Sequence, residues 1–255
     1  MDRLRPGSTD RWFVSTQSVD HPDRPVACLY IIMASPLVLD AVTKRYGDGP
    51  AILNGLTRTF TPESLTLLVG PNGAGKTTLL HLLSVLSYPT SGTVRYGDLD
   101  VHAHPYRYLA HVGLVHADAQ LPEHLSAVEL LEWILRSRDG WTKEAPDRID
   151  ALLTRLRLDE RRENLIGTYS SGMTQKAQIA AALVAEPDVL LMDEPLRSLD
   201  TATADAAIDL LEAFVVDGGL AVVASHLTGA LTDIADTTLA LDDGTLSPVP
   251  SAEAG

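Results

Sequence analysis

The chain has 255 residues, 45% of them hydrophobic and 21% charged, with a formal net charge of −14 and a single cysteine, Cys28. That length suits one domain or one domain with an inserted lobe, the composition is that of an ordinary globular chain, and no intrachain disulfide is possible. The acidic balance argues against a nucleic-acid partner, which needs a basic face to neutralise phosphates, and no apolar run approaches the roughly 20 residues of a membrane-spanning helix.

Residues 1–34 are rich in Arg, Asp, Ser and Pro and carry no sustained period. They are expected to be an N-terminal extension without persistent structure, or a start assigned upstream of a true one at Met33. The folded domain is expected over 35–246, followed by a short C-terminal tail at 247–255. Two strand-like runs, "PLVLDAVTKRY" and "AILNGLTRTF", are split by the turn "GDGP". The apolar strand "SLTLLVG" follows, and a helix is expected from near Gly75 to about Ser87. Residues 122–160 read as helical, with amphipathic runs at "SAVELLEWILRSR" and "PDRIDALLTRLRL". A further helix runs through "MTQKAQIAAALVAE" and stops before Pro187. "VLLM" and "LAVVA" read as buried strands with the helix "TATADAAIDLLEAFV" between them, and "TTLALDDGTLSPV" reads as a hairpin around "DDGT". Strands alternating with helices predict an α/β fold with a largely parallel core sheet. The helical stretch over about 118–172 interrupts that rhythm and is expected to form an inserted lobe.

The strongest motif is "GPNGAGKTT", comprising Gly70, Pro71, Asn72, Gly73, Ala74, Gly75, Lys76, Thr77 and Thr78, placed between a predicted strand and a predicted helix. It matches the phosphate-cradling pattern G-x-x-x-x-G-K-[ST] in the context that pattern requires. The glycines let successive backbone N–H groups turn inward, and the helix N-terminus adds partial positive charge. Lys76 supplies a full cation to the β- and γ-phosphates of a nucleotide, and the Thr77 hydroxyl is a ligand for Mg²⁺. Downstream, "VLLMDE" ends an apolar strand with two carboxylates at its C-terminal edge, where sites in parallel sheets lie. Asp193 is then placed to hold the metal or its waters, and Glu194 to act as general base towards the attacking water.

Together these motifs define a P-loop nucleoside triphosphatase, and the family is suggested by "YSSGMTQ", residues 169–175, lying shortly before "VLLMDE". This resembles the signature sequence of ATP-binding-cassette (ABC) proteins, and its Y-S-x-G-M form resembles the subgroup common in exporters. The resemblance covers about residues 36–246 and implies an N-terminal antiparallel β subdomain beside the P-loop core. It implies that Ser170 and Gly172 bind the γ-phosphate of a nucleotide held by an opposite protomer. Tyr46 resembles the aromatic residue that stacks on adenine, although a plain strand-end tyrosine is the alternative. Asp200, in "SLD", resembles the acidic residue of the loop that crosses the dimer interface. His226 resembles the histidine that touches the γ-phosphate, so Glu194, His226 and Lys76 are the expected catalytic set.

Three stretches depart from the family pattern. Where the family has a glutamine after the strand "GYVP", this chain has "GLVHADAQ", so that Ala117 takes the Gln position and Asp118 follows. Asp118 is retained as a candidate metal-facing oxygen. Ser171 replaces the first glycine of the signature, and Leu196, Arg197 and Ser198 replace the commoner T-x-G. Five histidines between His102 and His124 carry no convincing ligand set and are expected in a solvated loop.

The resemblance therefore implies the ATP-binding and ATP-hydrolysing subunit of an ABC transporter, using ATP and Mg²⁺ and working as an ATP-dependent dimer. It implies a separate transmembrane permease as partner, a peripheral place on the inner face of the membrane, and a lean towards export. Two other readings stay open: a soluble ABC ATPase not coupled to transport, and a subunit that binds ATP but hydrolyses it weakly.

Overall fold

The structure is a computed structural model, and it describes residues 34–117, 120–226 and 229–250. The expected N-terminal extension at 1–33 and the last five residues lie outside the described residues. In chain order the elements are β1 (Leu37–Arg45), β2 (Ala51–Phe60), β3 (Ser64–Val69), α1 (Lys76–Leu83), β4 (Ser91–Tyr96), β5 (Leu99–Asp100), α2 (Pro105–Leu109), β6 (Val112–Val115), α3 (Ala127–Ser137) and α4 (Ala145–Arg155). Then come α5 (Ser171–Leu183), β7 (Val189–Asp193), α6 (Thr201–Val216), β8 (Leu220–Ala224), α7 (Gly229–Ile234), β9 (Thr237–Asp242) and β10 (Thr245–Pro248).

The strands form two sheets. One is antiparallel in the order β2-β1-β4-β5, and the other runs β10-β9-β3-β8-β7-β6, parallel from β9 to β6. This is the predicted α/β class with an N-terminal antiparallel sheet and a largely parallel core. The two kinds of sheet have the sequences they need. Every residue of β7 and β8 is buried, as befits central parallel strands covered on both faces. In β1, Leu37, Leu39 and Val42 are buried, while Asp40 and Ala41 both face solvent. The two successive outward residues mark a bulge, which coincides with a register shift between Leu39 and Val42.

Helix α1 buries Leu79, Leu80, Leu82 and Leu83 on one broad face, and one apolar core joins it to residues of both sheets. The other face carries Thr77, Thr78 and His81, of which Thr77 is exposed towards the cleft. The helix stops at Leu83, short of the expected Ser87, because Val85 adopts a φ of 61° that no helix can continue. The two sheets are also tied by a polar cluster. Asp188, just before β7, accepts from His111 Nδ1 at 2.6 Å and from the Tyr96 hydroxyl of β4 at 3.3 Å. Burial, first of all, pushes the Tyr96 phenol up to about 12.

The helical lobe is α3 and α4 packed against α5. Helix α3 begins with a reciprocal cap: Glu129 N donates to Ser126 Oγ at 3.2 Å, and Ser126 N donates to a Glu129 carboxylate oxygen at 2.8 Å. Helix α5 spans from the lobe to β6 and links the two regions. At the C-terminus Asp243 and Gly244 have φ values of 45° and 73°, the positive pair that a two-residue hairpin turn requires. Strand β10 continues to Pro248, two residues past the boundary expected at 246. No helix among the described residues is long and apolar enough to cross a membrane.

Candidate functional site: a phosphate cleft at the strand ends

Four parallel strands discharge on the same edge of the core sheet. Strand β3 leads into the glycine loop, β6 into His116 and Ala117, β7 into Asp193 and Glu194, and β8 into Ser225 and His226. Two backbone bonds stitch this edge: Glu194 N to Ala224 O at 2.8 Å and Ser225 N to Leu68 O at 3.2 Å. The result is a cleft of about 680 Å³, within the size range of small-molecule sites, lined on one side by the glycine loop and the start of α1 and on the other by Asp193, Glu194 and His226.

The glycine loop owes its shape to three backbones with positive φ: Gly70 at 148°, Gly73 at 83° and Gly75 at 105°. Gly70 is doubly constrained, since a Cβ there would lie 2.3 Å from the Leu241 carbonyl oxygen of β9. Gly75 is the N-cap of α1, so the helix N-terminus opens into the loop. Lys76 is mostly buried, and its ammonium donates to the carbonyls of Gly70 at 2.7 Å and Pro71 at 3.2 Å. The loop's own carbonyls thus hold the cation inside the ring of amides. Thr77 donates its hydroxyl to Asp193 Oδ2 at 2.7 Å. Two hard oxygen ligands, one from α1 and one from β7, therefore stand side by side, which is the donor chemistry Mg²⁺ prefers.

Glu194 sits at a φ of 52°, a strained backbone for a residue with a Cβ. Its carboxylate is gripped from two sides. Ser225 Oγ donates to Oε2 at 3.1 Å, and the His226 amide donates to Oε1 at 3.0 Å. The His226 ring adds Nδ1 against the same Oε1 at 2.8 Å. That contact holds a proton on Nδ1 and leaves Nε2 with the lone pair whenever the ring is neutral. A carboxylate, an oriented imidazole, an ammonium and a hydroxyl–carboxylate pair thus converge on one cleft, an arrangement suited to holding a nucleoside triphosphate and activating water at its end.

Of the residues singled out from sequence, Asn72, Gly73, Gly75, Lys76, Thr77, Thr78, Asp193, Glu194 and His226 line this cleft. Gly70, Pro71 and Ala74 shape its loop without lining it. Tyr46 stands half-exposed on the turn after β1 with the Lys44 ammonium 4.7 Å from its ring centre, and it does not line the cleft. Ser170 and Gly172 lie at the start of α5, also outside it. Ser170 is the N-cap and accepts from Met173 N at 3.3 Å, while a Cβ on Gly172 would lie 2.6 Å from the Ser198 carbonyl. Asp118 falls outside the described residues, but Ala117 does line the cleft. Sequence reasoning missed Ile52 and Ser225 altogether and gave Arg197 no role; both Ile52 and Arg197 line the cleft. Among the described residues no cluster of three or more His, Cys, Asp or Glu could hold a metal. Three of the five histidines of the 102–124 stretch go to separate partners: His102 to the Ser87 carbonyl, His111 to Asp188 and His116 to His81, while His104 and His124 are exposed.

The comparisons with known proteins agree with the geometry. The sequence profile described as "ABC transporter" matches residues 53–197, more than half of the chain. The chain belongs to the ABC transporter family. It is an ATPase domain of that family. The chain is 32% identical over 208 residues to the daunorubicin resistance ATP-binding protein DrrA3 of Streptomyces coeruleorubidus, covering 82% of this chain and 66% of that one. It is 37% identical over 169 residues to the Fe(3+) ions import ATP-binding protein FbpC of Brucella abortus, covering 66% of this chain and 47% of that one. The chain thus spans about two thirds of the length of the first relative and about half of the second. A solved structure of the ATP-binding subunit of an ABC transporter shares the fold with a TM-score of 0.79 at 23% identity, over 84% of this chain and 89% of that one.

Asp200 has a local task besides any at an interface. It is the N-cap of α6, accepting from Thr203 N at 3.0 Å and from the Thr203 hydroxyl at 2.8 Å. The Thr203 hydroxyl bond, first of all, holds the Asp200 carboxyl below the usual carboxylate range. A depressed folded-state pKa contributes stability above the unfolded value and loses it as pH falls through the folded one. Asp200→Ala is accordingly expected to lower Tm at neutral pH, and the gap to wild type to close as pH drops below the ordinary carboxylate range. Thermal melts of both proteins across that range check this, and a gap that stays constant with pH would count against the cap.

Proposed function

We propose that this chain hydrolyses ATP to drive a separate membrane permease, in the direction of export. The observation that carries the ATP-hydrolysing part is the convergence on one cleft of two pairs, Thr77 with Asp193 and Glu194 with His226, together with Lys76. Lys76 and the loop amides hold the β- and γ-phosphates. Thr77 and Asp193 are the residues that would hold Mg²⁺, which would supply positive charge against the phosphates. Glu194 accepts the proton of the attacking water, and the His226 ring, donating through Nδ1 to the Glu194 carboxylate, orients that base at the end of the γ-phosphate. Tyr46, on its exposed turn, is available to stack on a base.

Ser170, Gly172 and Asp200 lie outside their own chain's cleft, which supports a role across a dimer. In that arrangement each nucleotide rests on Lys76, Thr77 and Asp193 of one protomer and meets the α5 N-terminus of the other, so closure depends on the γ-phosphate. A separate permease as partner, with this chain on the cytoplasmic face of the membrane, is supported by membership of the ABC transporter family and by relatives named as ATP-binding proteins. The chain's net charge of −14 speaks against nucleic acid as the partner. Export is supported by the Y-S-x-G-M signature and by the drug-resistance relative. The iron-import relative supports the opposite direction, and the permease decides between them.

The test is capture of a tagged Glu194→Gln protein from native membranes in mild detergent with ATP and Mg²⁺. A stoichiometric multi-span membrane protein of exporter type is expected in the eluate. An importer-type permease would reverse the direction, and recovery without any membrane protein would overturn the transport reading.

A further inference from the structure

Arg197 is a charged residue of the cleft that neither the motif pattern nor the roles above employ. It lies between "DEP" and "SLD" in the sequence, and it lines the cleft with Asp193, Glu194 and His226. Its placement is set by a tight turn: Arg197 N donates to Glu194 O at 3.1 Å, and the residues on either side of that turn, Glu194 and Ser198, hold φ values of 52° and 65°. The turn fixes where the Arg197 backbone sits beside the cleft.

The guanidinium is exposed, and no ion pair found among the described residues involves it. The two carboxylates that line the cleft are already committed, Asp193 to Thr77 and Glu194 to Ser225 and His226. A planar fork of five donors without an acidic partner, in a cleft built for polyphosphate, is complementary to a phosphate with two free oxygens. Lys76 and the loop amides lie at the α1 side, where the inner phosphates rest. Arg197 lies on the turn that follows Glu194, the residue assigned above to the water that attacks the terminal phosphate.

On this basis, and resting on the nucleotide-cleft reading above, we propose that Arg197 binds the terminal phosphate of ATP in its own chain's cleft and thereby sets the preference for ATP over ADP. A charge-assisted contact made only to the terminal phosphate strengthens ATP binding and leaves ADP binding alone.

The experiment is calorimetric titration of the full chain with Mg²⁺ and either ADP or the β,γ-methylene analogue of ATP, for wild type, Arg197→Ala and Arg197→Lys. Arg197→Ala is expected to weaken the ATP analogue roughly tenfold or more and to leave ADP within about twofold. Arg197→Lys falls between, because it keeps the charge and loses the fork. The effect is expected to be independent of protein concentration, since the residue acts within its own cleft. Unchanged analogue affinity, an equal loss for both nucleotides, or a loss seen only where the protein dimerises would overturn the proposal. Failure of wild type to bind either nucleotide would instead overturn the cleft reading itself, so the two failures are distinct. Because Arg197 is exposed, matching thermal melts confirm that each variant is folded.

Discussion

Glu194→Gln is expected to lower steady-state ATP hydrolysis at least ~100-fold while ATP binding persists, because general-base catalysis by a positioned carboxylate contributes on the order of 10²–10⁴ in rate. The substitution isolates chemistry from structure unusually well at this position. Three donors converge on the carboxylate: the Ser225 hydroxyl at one oxygen, and the backbone and ring nitrogens of His226 at the other. The amide oxygen of Gln takes the place facing His226, and the amide nitrogen then faces Ser225, whose hydroxyl turns to accept. The buried contacts survive, so Tm is expected to stay close to wild type. What is lost is the ability to take a proton. Phosphate-release assays, paired with equilibrium ATP binding, check this; hydrolysis within about tenfold of wild type would remove Glu194 from the role of base. A variant that binds but does not turn over also retains ATP-dependent contacts, which is why it serves in the permease capture.

Much of this site is written in short stretches of sequence. The phosphate loop and "VLLMDE" declare themselves because each is one element's end, with glycine, Lys76 and the carboxylates set by local geometry. The hairpin at 237–248 is legible for the same reason. What is not legible depends on pairings far apart in sequence. Ser225 shows its partner only when β8 is laid beside β7, bringing it to a carboxylate 31 residues upstream. Strand β4 has only Val94 and Tyr96 as buried alternate positions, too short a pattern to stand out. The apolar run of α1 continues through Val85 and Leu86, so its end at Leu83 appears only in the backbone angle. Asp200 is a case where two readings coexist: the D-T-A-T stretch is a helix cap by local chemistry, whatever else the carboxylate meets.

Gly113→Ala is expected to be the most damaging single methyl group in the chain's core sheet. Gly113 lies on β6 opposite Leu190 of β7, with α5 packed over the strand. A Cβ at Gly113 would lie 2.2 Å from the Ala182 carbonyl oxygen of α5, and 3.0 Å from both the Ala182 carbonyl carbon and a Leu190 methyl. The obstruction is backbone on one side and a fully buried side chain on the other, so no rotamer change relieves it. Overpacking of this kind costs up to about 3 kcal/mol, which for a domain of this size lowers Tm by roughly 6–12 °C. Relief requires α5 to move away from β6. That movement would displace Ser170 and Gly172 at the helix start and disturb Ala117 just beyond the strand, so ATP hydrolysis is expected to fall even at temperatures where the variant remains folded. Gly140→Ala is the control. Its added Cβ would meet only Leu135, at an ordinary 3.4 Å from the side chain, and it is expected to shift stability by no more than about 0.5 kcal/mol. Equal melting temperatures for the two variants would show that the close approach of β6 and α5 is not the constraint the packing indicates.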